Sequence, residues 1–275
     1  MGLLDFGSTP EGGVKGPYTD YDTALTALRA DASASDGDAY QLDSGQLFAA
    51  YTSEGPGILI PSDLYPRISG YVSNASGDSY LTTADTKADL TTRGWVITED
   101  NEGTVTGGDG SAFRLDAGTN IGGSSDTAAL GFTPTSNQTS MISLIKGQPI
   151  LGTAIGQAYM CSLRDGSNRF DIAPNDGATG SFNVFGSGTS ALAAAIGSID
   201  ETSATWFLML FDTTASTNVL YFRRLESAPE EALAVEDSDL QSTANSFAPY
   251  MRCFQGSIGS QTVIDIYEAH TLVMT

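Results

Sequence analysis

The sequence predicts a mainly β protein, an antiparallel β-sandwich of jelly-roll type preceded by a small N-terminal helix-and-hairpin segment. Three observations carry this. From about residue 89 onward, ten short apolar segments recur between clusters of Gly, Asn, Asp, Ser and Thr, the spacing of strands joined by turns. Only one stretch before them shows a helical period. A hydrophobic fraction of 40% over 275 residues is enough to bury a sizeable core without help from disulfides or metal.

After a Gly- and Pro-rich arm, "DYDTALTALRADA" offers Asp20 or Asp22 as an N-cap, with Leu25 and Leu28 on one face and Ala24 and Ala27 beside them; this predicts one helix over about residues 20–30. "DGDAYQLDSGQLFAAYT" then alternates apolar and polar residues on both sides of Ser44-Gly45, a β-hairpin. In "GPGILIPSDLYP", prolines at 56, 61 and 66 argue against a central strand and for an extended arm lying along a neighbour. A lone helix, one hairpin and an arm are poorly placed to bury a core alone. Residues 1–75 are therefore expected to finish their core against the chain's own C-terminal domain, a symmetry mate or a larger assembly, and to serve as a docking segment, through Tyr40, Leu42, Leu47, Tyr51, Ile58, Ile60 and Tyr65. Residues 76–88 read as a linker and 89–275 as the sandwich.

The ten segments are "GWVITED", "GSAFRLDAG", "SMISLIKG", "QAYMCSLRD", "RFDIAP", "GSFNVFG", "ATWFLMLFD", "NVLYFRRLE", "PYMRCFQG" and "TVIDIYEAHTLVM". "TWFLMLFD" is apolar at nearly every position, so both its faces are expected to be covered. "SALAAAIGSI" reads as a helical turn or a loop. No repeat of fixed period is present.

A formal charge of -21, from 33 acidic against 12 basic residues, repels phosphate backbones and anionic lipid and argues against nucleic acid or membrane as a main partner. No apolar run is long enough to span a bilayer. The opening residues lack the pattern of a secretory leader or a myristoylation site. Cys161 and Cys253 each fall in a predicted strand and read first as buried thiols, a disulfide between neighbouring strands being the alternative. The one histidine, His270, has no metal-ligand spacing around it. "GGDGSAF" and "GTNIGGSSD" lack the Gly-Lys-Ser/Thr ending of a phosphate loop, and no Ser-His-Asp arrangement or Gly-x-Ser-x-Gly elbow is present.

"RFDIAPNDG" followed by "SFNVFG", the pair "ATWFLMLFDTTASTNVLYFRR" and the closing "VIDIYEAHTLVM" resemble the concanavalin-like jelly roll of laminin G and legume-lectin-type domains. The resemblance covers about two thirds of the chain. It implies a glycan binder, a protein binder or a glycosidase. The helix, "GDAYQLDSGQLFAAYTSEG" and the Pro-rich arm are similar to the N-terminal regions of tailed-bacteriophage virion proteins. That implies a non-enzymatic structural protein on the phage particle, a head decoration or fibre, that docks on other virion proteins as a homo-oligomer and displays a lectin-like sandwich to host surface polysaccharide. The alternative is a free glycan-binding or glycan-hydrolysing protein.

The expected glycan contacts are Trp95, read as a surface ring for stacking, with Asp165, Asn168 and Arg169; Trp206 reads as core. "LRDGSNRFD" sets Asp165, Asn168 and Asp171 within seven residues, oxygen donors suited to calcium, unless Asp-Gly simply marks a hairpin turn. "DASASDGDAY" has its Gly out of register for an EF-hand, with Leu42 where the bidentate Glu belongs. A glycosidase needs two facing carboxylates. Asp171, Asp212, Asp265 and Glu268 are available, but no Glu-x-Asp-x-x-Glu run occurs. The spacing of three between Asp265 and Glu268 is expected to put them on opposite faces of a strand. No catalytic residue is therefore assigned. Of the adjacent pair Arg223-Arg224, one is expected to meet carboxylates at the core edge and the other solvent or a partner.

Overall fold

The computed structural model describes residues 13–52, 55–64, 79–118, 126–132, 140–151, 156–165, 168–174, 182–187, 194–195, 203–212, 218–225, 233–237, 248–255 and 262–274. The chain forms two compact units, Met1–Ser73 and Asn74–Thr275.

The N-terminal unit consists of β1 (Val14–Tyr18), α1 (Tyr21–Ala30), β2 (Ala39–Leu42), β3 (Leu47–Tyr51) and β4 (Ile58–Pro61), with sheet order β1-β2-β3-β4. α1 starts where predicted: Asp20 caps it, accepting from the Thr23 N–H at 2.7 Å, and Tyr21, Ala24, Leu25 and Leu28 form its buried stripe. The hairpin closes through Leu42 N–H to Gln46 O and Gly45 N–H to Leu42 O. Gly45 has φ +85, a conformation that glycine adopts without a Cβ penalty. Lys15 fastens β1 by donating to Asp31 at 2.7 Å and Asp38 at 2.9 Å. Hydrogen bonding to Lys15, then to Ser33, holds the Asp31 carboxyl well below the usual carboxylate range.

The proline-marked segment is extended along a neighbour and not central, as expected, and its middle pairs as a strand. Ile58–Pro61 is a strand in register with β3, from Tyr51↔Ile58 to Phe48↔Pro61, and lies at the edge of the sheet, where a residue without an N–H is tolerated. Side chains of α1 occupy carbonyls along this edge. Tyr21 Oη donates to Leu59 O at 2.7 Å and Arg29 Nε to Gly57 O at 3.0 Å, which blunts an edge otherwise open to pairing.

The expected partner-facing set is corrected by its burial within the single chain. Tyr40, Leu42, Tyr51, Ile58 and Ile60 are all buried, and Leu47 is half-buried; Tyr65 lies outside the described residues. The helix is the missing second layer. It packs on β1, β2 and β4, and Tyr21 meets Phe48 edge to face at 5.2 Å, on the sheet face that also carries Tyr40 and Leu59 by register. The segment therefore has more core of its own than a reading element by element allows.

The second unit already has a strand and a helix start inside the expected linker. β5 (Ser79–Thr82) and α2 (Lys87–Thr92) precede β6 (Trp95–Asp100), β7 (Thr104–Gly108), β8 (Ser111–Asp116), β9 (Asp126–Phe132), β10 (Ser140–Leu151), β11 (Gly156–Asp165) and β12 (Asn168–Pro174). β13 (Phe182–Ser187), β14 (Ala194–Ala195), β15 (Thr205–Asp212), β16 (Asn218–Arg224), β17 (Leu233–Asp237), β18 (Ala248–Gln255) and β19 (Thr262–Met274) complete it. One sheet runs β17-β16-β15-β10-β19-β8-β7, with β5 also on β19; the other runs β14-β13-β12-β11-β18-β9-β6. Pairing is antiparallel throughout both. All ten predicted segments are strands. "SALAAAIGSI" is corrected at Ala194–Ala195, which pair with Val184 and Asn183.

The core lies between the sheets. Leu81, Val105, Phe113, Leu115, Ile145, Phe207, Met209, Ile264 and Ile266 come from the eight-stranded sheet and Trp95, Ala128, Leu130, Phe132, Met251 and Cys253 from the other. β15 is covered on both faces as expected, Trp206 to Leu210 being buried without exception. Cys253 is free and buried, its thiol donating to Leu115 O at 3.2 Å; burial pushes its pKa up, as for a structural thiol.

Candidate functional site: the outer face of the eight-stranded sheet

The feature that shapes this face is a β-bulge in β19. Lys146 pairs with Glu268, but the next residue, Gly147, pairs with Ile266, so Tyr267 is an extra residue in the ladder. Ile264 and Ile266 before it, and Ala269 after it, belong to the inter-sheet core. Strand alternation then sets Asp265 and Glu268 on the same, outer face. The expectation that a spacing of three separates them is overturned, because the bulge absorbs one residue. Two ladder steps part their backbones, about 7 Å at about 3.3 Å per step.

Around Asp265 the face is polar and open. Arg114, its partner on β8, donates Nε and Nη2 to the two Asp265 oxygens at 2.8 and 2.7 Å. The Arg114 side chain is 49% exposed and that of Asp265 only 10%. Arg114 is held above its usual pKa, first by Asp265, with Asp116 and Tyr267 adding to the pull. Tyr267 Oη and Gln148 Oε1 lie 3.2 Å apart, the phenol donating. Thr104 and Thr106 on β7 are exposed and pair with Asp116 and Arg114. Ile150, 37% exposed, pairs with Val263. These residues form a strip across β7, β8, β19 and β10.

Beyond the bulge the same face closes. His270 Nε2 and Glu268 Oε1 are 2.6 Å apart and both residues are buried. Tyr80 on β5 stacks on the imidazole with centroids 6.1 Å apart. The Arg93 guanidinium sits 4.1 Å from the Tyr80 ring centroid and makes two 2.7 Å bonds to Asp85. Burial alone would raise the Asp85 carboxyl, but the bonds from Arg93 and the Thr82 N–H outweigh it and the net shift is downward. Lys146 Nζ lies 5.8 Å from the Trp206 ring centroid, on a face where Leu144, Leu208 and Leu210 are also buried.

Of the residues expected to form a site, Trp95 is corrected. It is 2% exposed, rests against Phe132 at 5.7 Å and donates Nε1–H to Tyr80 O at 3.2 Å. Gly94, at φ +86, turns the chain into β6 so that Trp95 faces the core, and Val96 takes the exposed position, at 53%. Asp165 and Asn168 pair across the end of the β11–β12 hairpin, next to Arg164↔Arg169, while Asp171 pairs with Ser162. Three ladder steps, about 10 Å, thus separate Asp171 from Asn168, and the three are not gathered in one turn. The side chains of Asp165, Asn168, Arg169 and Asp171 lie outside the described residues. Among the described residues no cluster of three His, Cys, Asp or Glu is arranged to hold a metal ion. No described helix is long and apolar enough to cross a membrane.

Sequence reasoning missed Arg114, Gln148, Tyr267 and Tyr80. "FRLD" and "IDIY" do carry a signal, an Arg and an Asp on outward positions of amphipathic strands. Nothing local, however, makes β8 and β19 neighbours, 151 positions apart at this contact.

No protein-family model matches the chain, and no curated protein is similar to it in sequence. Solved structures are similar in fold. The endo-1,3-β-glucanase of Streptomyces sioyaensis aligns over 73% of this chain and 98% of its own, at 8% identity and a TM-score of 0.50. A Bacillus licheniformis β-glucanase aligns over 72% and 98%, at 11% identity and 0.50. The Crh5 transglycosylase aligns over 74% and 86%, at 10% identity and 0.50. At such identities the likeness concerns fold. The chain has a concanavalin-like jelly-roll sandwich, as its sequence led one to expect.

Proposed function

We propose that the sandwich binds a polysaccharide, without cleaving it, on the open strip of its eight-stranded sheet, as the outward module of a virion surface protein. One observation carries the binding reading: the half-exposed Arg114, held by the buried Asp265 beside Tyr267 and Gln148, makes with them a fixed set of planar hydrogen-bonding groups on a broad sheet face. Sugar sites are built from such groups. The fold's likeness to glucanases and a transglycosylase supports the same ligand class.

The bulge favours a second reading, hydrolysis by Asp265 and Glu268, because it sets two carboxylates on one face. Against it, both Asp265 oxygens are engaged by Arg114 and Glu268 is buried against His270, so neither is offered to a glycosidic oxygen. The virion setting is supported by the resemblance of residues 1–70 alone.

The test is retention of the full chain in polysaccharide-containing gels, with reducing-end release measured alongside. Retention that Arg114→Ala weakens about tenfold, with no sugar released, is the expected result. Release abolished by Glu268→Gln would replace binding by hydrolysis. For the virion role, light scattering should find the full chain multimeric and residues 74–275 monomeric; two monomers would remove the argument for docking.

A further inference from the structure

Resting on the reading of the strip as a glycan site, we infer that its ligand is an uncharged polysaccharide and that Asp265 enforces this choice by cancelling the charge of Arg114. Arg114 is the exposed cation of the strip, and its two bonds to Asp265 commit it to a carboxylate already present. Asp116 adds a second carboxylate to its field, so the strip holds two carboxylates for one guanidinium. Of the other described cations of the same face, Lys146 stands across the ladder from Glu268, Arg93 is bonded to Asp85, and Arg223, across the ladder from Leu208, is buried.

A guanidinium has five N–H donors, and the two given to Asp265 leave three to point at a ligand. Sugar hydroxyls accept such bonds without bringing charge. A uronate or sulfate group would instead face Asp265 and Asp116 across a few ångströms and enter the field of a chain of net charge -21. At about 5 Å, one like-charge contact costs a ligand roughly tenfold in affinity at intermediate dielectric, and less in high salt.

The experiment measures binding of the full chain to soluble neutral glucans and mannans and to uronans and sulfated glycans, at low and physiological salt. The wild type should bind a neutral polymer at least about tenfold more tightly than any anionic one. Asp265→Asn keeps the shape but uncovers Arg114; it should raise affinity for anionic polymers about tenfold at low salt, a gain that salt erases. Asp116→Asn retains an oxygen for the Gly118 N–H that Asp116 now holds at 2.8 Å. It should give a smaller gain of the same sign, and keeps the test valid if Asp265→Asn misfolds. Preference of the wild type for anionic polymers, or an unchanged preference in both variants, overturns the inference while leaving glycan binding intact. Binding of no polymer overturns both.

Discussion

The two units bury their aromatic residues differently. In the N-terminal unit two of the three fully buried rings, Phe48 being the third, carry hydroxyls that are put to use: Tyr21 spans from α1 to the Leu59 carbonyl, and Tyr40 receives Lys15 at 3.4 Å. In the sandwich the largest buried side chains are Trp95, Trp206, Phe113 and Phe207, most of them filling the space between two sheets. A small unit has few core positions, so its rings double as ties between elements. A large one relies on apolar volume.

The largest effect follows from that difference in size. Phe48 and Phe113 are both fully buried, and truncation of either to Ala costs about 3–5 kcal/mol. At about 0.05–0.15 kcal/mol per residue, the roughly fifty described residues of the N-terminal unit account for only about 3–8 kcal/mol. Phe48→Ala should leave the N-terminal unit open to protease at 25 °C. Phe113→Ala should lower the sandwich's unfolding midpoint and leave it folded. Limited proteolysis with mass spectrometry reads both, and loss of the whole chain in either variant would mean that the units do not unfold separately.

A smaller effect concerns the polar tie at the start of the sandwich. Asp85 accepts both Arg93 bonds and the Thr82 N–H, and the side chains of Asp85 and Arg93 are 10% and 28% exposed. Asp85→Ala strands the guanidinium, at a cost of about 2–4 kcal/mol for a pair partly open to solvent, measurable by urea unfolding. Because the folded Asp85 pKa is depressed, its contribution is complete above the unfolded value, about 3.9, and is lost as pH falls through the lower folded value. Wild type and Asp85→Asn should therefore differ most above about pH 4 and converge in stronger acid. A constant difference down to pH 2 would refute the linkage.

How far these features were legible in the sequence depends on whether they are local. The cap at Asp20, the stripe of α1, the Gly45 turn and ten of the strands were readable, since each is set by residues near in sequence. That Ile58–Pro61 is extended and not central was readable too, but its pairing with β3 was not, because prolines describe which backbone groups are missing and say nothing of which neighbour makes them unnecessary. Burial of Trp95 depends on Gly94 and on Phe132, which lies on another strand. The outer-face site was hidden by one inserted residue: period-2 reasoning fails wherever a ladder slips, and the slip at Tyr267 appears only when β10 is laid beside β19. The side chains first chosen for a glycan or calcium site followed composition, whereas the strip at Arg114 follows long-range pairing.

The smallest effect separates the two helices. Asp20 accepts one short bond, 2.7 Å from the Thr23 N–H, and brings a negative charge to the N-terminus of a ten-residue helix. Thr86 caps a helix of six residues through a reciprocal box, with Asp89 N–H at 3.3 Å from its hydroxyl and Asp89 Oδ2 at 2.8 Å from its own N–H. In Thr86→Ala the second of these bonds survives, because its acceptor belongs to Asp89; in Asp20→Ala no part of the side-chain cap survives. The first is expected to cost about 0.5 kcal/mol and the second about 1 kcal/mol. Amide hydrogen exchange at Thr23 and Asp89 reads each cap directly, and greater loss of protection at Asp89 would reverse the order. Since α1 is also the covering layer of its sheet, Asp20→Ala should speed exchange in β2 and β4 as well, while exchange in β6 stays unchanged in Thr86→Ala.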